Sequence, residues 1–196
     1  NQHGKADAVV VKLDSLRNIE WTQCYGGSDY DGVTRLIEVA DGYVFGGYTM
    51  SDDGQVTGWH GGDDIWIVKI DFQGSIVWQK CLGGTRNEYI KNISKESDGS
   101  YVLFGITQSY DGDVSGNHNI VPEVYDIWMV KLSSEGELIS QQCIGGIGDD
   151  KLEFGVVQRK DGNYVAAGQM TNGPSYDVLC TPYSTPIPDY WLFELK

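Results

Sequence analysis

The chain has 196 residues and a formal charge of −14, from 28 acidic and 14 basic side chains, with 40% apolar residues. Its 6 Trp, 12 Tyr and 5 Phe give far more burial than a disordered chain carries. No apolar run nears the ~20 residues of a membrane-spanning helix, and an acidic surface repels phosphate backbones, so nucleic acid is excluded as a natural partner.

The elements recur in chain order. Asp7-Ala-Val-Val-Val-Lys-Leu-Asp14 opens the series and is followed by Ile19-Glu-Trp-Thr-Gln-Cys-Tyr-Gly-Gly27. Two further segments meet at Asp41-Gly42, the second beginning with Tyr43 and carrying Gly47. The set then repeats as Asp64 to Asp71, Ile76 to Gly84, and a pair around Asp98-Gly99 with Tyr101 and Gly105. It repeats again as Asp126 to Ser133, Leu138 to Gly146, and a pair around Asp161-Gly162 with Tyr164 and Gly168, and Asp189 to Lys196 closes the series. The Asp-led segments begin 57, 62 and 63 residues apart.

Each segment reads as a strand, because Val, Ile, Trp, Tyr and Phe dominate and Gly, Asp, Ser or Asn punctuates every join. Asp-Gly supplies the positive φ of a tight hairpin, and no stretch keeps helical periodicity. The spacing predicts an all-β chain of four-stranded antiparallel meanders, three repeats of about 60 residues plus one extra strand. Drawn from Asp7, the repeats cover 7–63, 64–125 and 126–188, with a final strand at 189–196, in one repeat domain spanning 1–196. A propeller-like array fits this period, and a threefold β-prism-like fold is the alternative. Three blades fall short of the ~4–8 of a closed propeller. The expectation is therefore a portion of a longer array or a homodimer completing one ring.

Asp64-Ile-Trp-Ile-Val-Lys-Ile-Asp71, Trp78-Gln-Lys-Cys-Leu-Gly-Gly84, Ser97-Asp-Gly-Ser-Tyr101 and Asp111-Gly-Asp-Val-Ser-Gly-Asn-His118 resemble a repeat of secreted Bacteroidetes β-propeller-type proteins. The resemblance spans Asp7 to Lys196. It implies an extracellular or outer-membrane-surface location, with lipid anchoring through residues outside this sequence, and brings no catalytic residues. The third repeat departs from it, since Met170 to Asp189 replaces the Asp-Gly-Asp-Val loop with a Pro- and Tyr-containing insertion. Asn1-Gln-His-Gly-Lys5 reads as the polar start of a processed or trimmed chain.

Cys24, Cys81 and Cys143 hold one place in three repeats, which sets them too far apart for the ~7 Å that a disulfide allows. They read as small buried apolar residues; Cys180 is a free thiol or a partner for Cys143 or Cys24. Trp66, Trp128 and Trp191 share one strand site and Trp21 and Trp78 another, so these five read as packing residues.

Alternating connections place every long loop at one end of the strands, where binding usually lives. These loops carry Asp29, Asp31, Asp52, Asp53, Asp63, Glu88, Asp111, Asp113, Glu123, Asp149, Asp150 and Asp177, so that face is acidic. Asp111-Gly-Asp-Val-Ser-Gly116 places Asp111, Asp113 and Ser115 at the first three ligand positions of a calcium loop, with Gly at the sixth. The acid expected at the twelfth is missing, and a self-capped Asx turn is the simpler account. Trp59 and His60, with Asp52, Asp53, Tyr110 and His118, form a candidate ligand platform, an indole for stacking sugar C–H faces and acids for hydroxyls. Trp59 folded back on its own loop is the alternative.

No nucleophile motif or metal-spaced His pair accompanies His3, His60 and His118. The leading expectation is a non-catalytic, secreted or cell-surface binding module whose acidic loop face takes a protein, peptide or glycan. A carbohydrate-binding accessory of outer-membrane nutrient uptake comes second, and a glycoside hydrolase or lyase third.

Overall fold

A computed structural model describes residues 2–119, 121, 123–171, 176–177 and 189–195, with the side chains of residues 154, 189–191 and 193–195 outside it. The strands are β1 (Ala8–Leu13), β2 (Ile19–Tyr25), β3 (Asp31–Val39), β4 (Gly42–Thr49), β5 (Asp64–Ile70), β6 (Ile76–Leu82) and β7 (Glu88–Lys95). They continue as β8 (Tyr101–Thr107), β9 (Asp126–Leu132), β10 (Leu138–Ile144), β11 (Lys151–Gln158), β12 (Tyr164–Met170) and β13 (Asp189–Leu195). The chain is all-β: among the described residues there is no helix, and so none long and apolar enough to cross a membrane.

The strands form antiparallel meanders in chain order, β1-β2, β3-β4-β5-β6, β7-β8-β9-β10 and β11-β12-β13. Each complete sheet therefore begins just after a Gly-Gly pair and takes strands from two of the repeats drawn from Asp7. The Asp-Gly hairpins form as the residue types require, with Gly42, Gly99 and Gly162 all at positive φ. The Gly that follows Tyr by four has a different cause. Gly47 and Gly105 sit beside bulges in β3 and β7, and the Gly32 and Tyr89 carbonyl oxygens fill the space of a Cβ.

Alternate residues point to opposite faces, and each sheet stacks on the next. Trp66, Val68 and Ile70 of β5 pack with Phe45 against Ala8, Val10 and Tyr25 of the first sheet. Ile65 and Ile67 of the same strand pack against Ile90, Leu103, Trp128 and Val130 of the third sheet. Val102, Phe104 and Ile127 turn the other way, onto Leu152, Tyr164 and Ala166 of the fourth. As a result β5 and β8 are buried on both faces. Trp66 and Trp128 are fully buried, each donating its indole N–H to a glutamine on the neighbouring strand, Gln79 and Gln141.

The short-hairpin end is tied by Trp21 and Trp78, whose indole N–H groups reach the carbonyls of Phe72 and Ser134 in the next sheet's turn. Cys81 and Cys143 are buried and Cys24 partly buried, all three free thiols as expected of packing residues. Cys180 lies outside the described residues.

Candidate functional site

The long loops gather at one end of the sheets and build the same polar junction three times. It begins with the Gly-Gly pairs, where the chain leaves one sheet for the next. The second glycine's N–H donates to a carboxylate at the start of the following sheet: Gly27 to Asp31 (2.7 Å), Gly84 to Glu88 (2.9 Å) and Gly146 to Asp150 (2.6 Å). These three acids are not solvated loop charges, as the sequence suggested, but are 2%, 0% and 1% exposed. A buried carboxylate needs donors. Asp31 receives them from Thr49 and Ser51, and Glu88 from Thr107 and the Ser109 N–H. In the third junction Met170 stands at the Thr49 position of the register, opposite the first residue of the next strand. Among the described residues Asp150 Oδ1 accordingly has no hydrogen-bond partner.

The first glycine has a steric role. A Cβ on Gly83 would crowd the Glu88 carboxylate and lie 2.8 Å from Asp64 Oδ1. On Gly145 it would stand 2.8 Å from Asp150 Oδ2 and 2.9 Å from Asp126 Oδ1. The glycine backbone thus passes between two buried acids in both junctions.

A histidine holds the second acid, Asp64 or Asp126, at the start of the Asp-x-Trp strands, and likewise Asp7 just before β1. His3 Nδ1 lies 3.0 Å from Asp7 Oδ2, His60 Nδ1 2.8 Å from Asp64 Oδ2, and His118 Nδ1 2.7 Å from Asp126 Oδ2. In every case the same oxygen also accepts the histidine's backbone N–H. All three histidines of the chain do one job. The carboxylate fixes the proton on Nδ1 and leaves Nε2 facing outward. There it meets an acid of the next loop: His60 Nε2 is 3.7 Å from Asp113 and His118 Nε2 is 3.8 Å from Asp177.

That last contact shows that the insertion of the third repeat, although it replaces the Asp-Gly-Asp-Val loop, still brings an acid to the junction. Asp177 N–H bonds the Gly145 carbonyl as Asp113 N–H bonds that of Gly83, and both carboxylates approach the N–H of the same glycine. Asp177 therefore replaces Asp113 within the insertion, and Gln55 holds the corresponding place in the first junction, bonded to Gly26 at both ends.

The proposed calcium ligands serve separate partners. Asp111 accepts from the N–H and hydroxyl of Thr85, Asp113 faces Gly83 and His60, and Ser115 is bonded by Gln141 of β10. Among the described residues no three or more His, Cys, Asp or Glu side chains are grouped to hold a metal ion. Asp53 plays the Asp111 part for Ser28, while Asp52 is exposed. Trp59 is partly buried and donates its indole N–H to Gly62 three residues on, so it folds back on its own loop. It does have a counterpart, since Gln2 donates to Lys5, also three residues on. Tyr110 is about half exposed, with Arg86 stacked over its ring at 4.7 Å and bonded to its hydroxyl.

Beside His60 is a polar groove of about 300 Å³ lined by Thr57, Gln79, Lys80, Asp113 and Glu137. Its one thiol, Cys81, has its pKa pushed well above the usual thiol range by burial and by neighbouring acids, so it offers no thiolate nucleophile. Burial also raises the carboxylates of the junctions: Asp64 to about 6 despite His60, and Asp150 to about 7. Glu88 and Asp126 move the same way from the same cause.

No family model and no curated protein matches this chain. Its chemistry therefore has to be read from its own residues. What they assemble is a set of buried, hydrogen-bonded pins at three equivalent places, with Asp64 Oδ1 and Asp150 Oδ1 left without a partner among the described residues.

Proposed function

We propose that the chain is a propeller-like, non-catalytic interaction module, secreted or held at the cell surface, whose acidic loop face takes a basic protein or peptide segment. A propeller-like arrangement accounts for inner strands, β5 and β8, buried on both faces; in a prism each sheet would keep one face to solvent. The repetition of the His–Asp pairs argues against catalysis, because a catalytic site needs one differentiated place and not three copies of the same pair.

One observation carries the choice of partner. The buried junction acids point inward, but Asp52, Asp53 and Glu123 are exposed at the same end, and several nearby cations are paired or stacked. Lys5 pairs with Asp29, Lys151 with Asp149, and Arg86 is stacked on Tyr110. The face thus presents unneutralised negative charge that attracts a cationic segment. The glycan reading centred on Trp59 draws less support, since that indole N–H is already bonded.

A lysine-rich peptide titrated into the protein by calorimetry tests this reading. Binding that weakens at least tenfold in the Asp52→Lys/Glu123→Lys variant, and with added salt, is expected. The Glu38→Lys/Glu135→Lys variant, altered at the short-hairpin end, retains it. Equal weakening in both variants would mean diffuse attraction to net charge and would sink the idea of a binding face.

A further inference from the structure

We infer that the two outermost sheet faces of this chain pack on each other between copies, head to tail, so that a second copy covers the face each end leaves open. The inference deepens the propeller-like reading by naming a partner, and concerns a different surface from the acidic loops.

The equivalences come from the repeat. In β1, Ala8 and Val10 point to the second sheet, so Val9, Val11 and Leu13 point outward and are 50%, 48% and 51% exposed. Their counterparts in β5 are Trp66, Val68 and Ile70, and in β9 Trp128, Val130 and Leu132, all at 0%. Those residues are buried because a preceding sheet lies over them. Leu36 repeats the comparison. It is 46% exposed, whereas Ile93, at the same register of β7, is 5% exposed and packs beneath Gly46 and Ile67 of the sheet before it. Between β1, Trp21, Leu36 and Tyr43 an apolar groove of about 220 Å³ stays open where that preceding sheet would sit.

The opposite end shows the complementary face. Val157 of β11 and Leu192 of β13 are 67% and 75% exposed. Their counterparts Ile37 and Ile67 pack against the sheet that follows. The first end therefore offers the face that elsewhere meets a preceding sheet, and the last end offers the face that elsewhere meets a following one. These are the two halves of the contact already made at each internal junction. Among the described residues each end also has an unpaired strand edge: β1 pairs with β2 alone and β13 with β12 alone, while β5 and β9 pair on both sides.

Apolar patches with open edges are unstable in isolation, and like ends do not match. Only first-to-last contact reproduces the internal packing, which makes the association heterologous. Each chain has four stacked sheets, so two copies closed this way would set eight sheets in one ring, at the upper end of the ~4–8 blades over which propellers close.

Light scattering and directed cross-linking test the inference. The parent chain is expected at twice 21.7 kDa or more, and Val11→Lys or Leu192→Lys at the single-chain mass with retained β-sheet circular dichroism. Under mild oxidation, a mixture of Val11→Cys and Leu192→Cys chains should give a covalent heterodimer. Either alone should give no more dimer than the parent, whose own cysteines set the background. A single-chain mass at 100 µM, or Val11→Cys linking to itself, would overturn the proposal. So would a doubly substituted chain that closes only within itself. Loss of peptide binding with the association intact would instead overturn the loop-face reading alone.

Discussion

Gly83→Ala should destabilise the fold by about 3 kcal/mol, a large effect for one methyl group. The added Cβ would press on the Glu88 carboxylate and stand 2.8 Å from Asp64 Oδ1. Both side chains are fully buried at the start of strands. Neither can swing into solvent, and Glu88 is held by Gly84, Thr107 and Ser109. The β6-to-β7 turn must move instead, which breaks the hydrogen bonds it makes. Gly58→Ala is the matched control: its φ of 86° carries backbone strain, but nothing lies within 4 Å of the new Cβ. It should cost about 1 kcal/mol. Thermal or denaturant unfolding compares the two, and a loss at Gly83 no larger than that at Gly58 would show that the junction accommodates the added Cβ.

The second large effect is in pH. Asp150 is raised from 3.8 to about 7, first by burial and then by Asp126 and Asp149, with the Gly146 N–H working the other way. A carboxyl whose folded pKa exceeds its unfolded value favours the fold while protonated. Its contribution is complete below about pH 4 and is lost as pH rises through about 7. The difference corresponds to roughly 4 kcal/mol. Asp64, at about 6, adds in the same direction. Asp98, held down to about 2 by Ser100 and then Lys131, acts oppositely, but its contribution is lost only as pH falls below about 4. Between pH 5 and 7.5 the buried acids dominate, so melting temperature should fall as pH rises. Asp150→Asn should flatten that slope, and a variant with the parent's slope would contradict the assignment.

Both effects arise in junctions that the sequence discloses only in part. The strands, the Asp-Gly hairpins and the shared Cys and Trp positions are local signals, read from alternation and turn residues within one period. The junctions instead join residues from two or three segments. His60 and His118 looked unrelated because His60 stands four residues before its aspartate and His118 eight. The spacing shared by His3–Asp7 and His60–Asp64 was a usable signal, broken in the third copy by the longer loop. Asp31, Glu88 and Asp150 were grouped with the surface acids because burial of a carboxylate depends on donors such as Thr49 and Thr107, one strand away. The calcium reading failed to anticipate the partners for a similar reason. Asp111 and Ser115 are four residues apart, yet they bond Thr85 in one turn and Gln141 in another sheet.

Gly-Gly pairs read at first as repeat punctuation. They are better described as one half of a pin whose other half is the buried carboxylate, joined in the second and third copies by the histidine-held aspartate. Three such pins fix the loop end of the stack and leave the exposed acids free to act outward.

Amide hydrogen exchange at Gly27, Gly84 and Gly146, followed by NMR, tests this account most directly. These N–H groups lie in loops but are buried and bonded to Asp31, Glu88 and Asp150. All three should exchange as slowly as amides of β5 and β8, while exposed Gly58 and Gly116 exchange fast. If the three glycines exchange at the rate of Gly58 and Gly116, the junctions do not pin the loops.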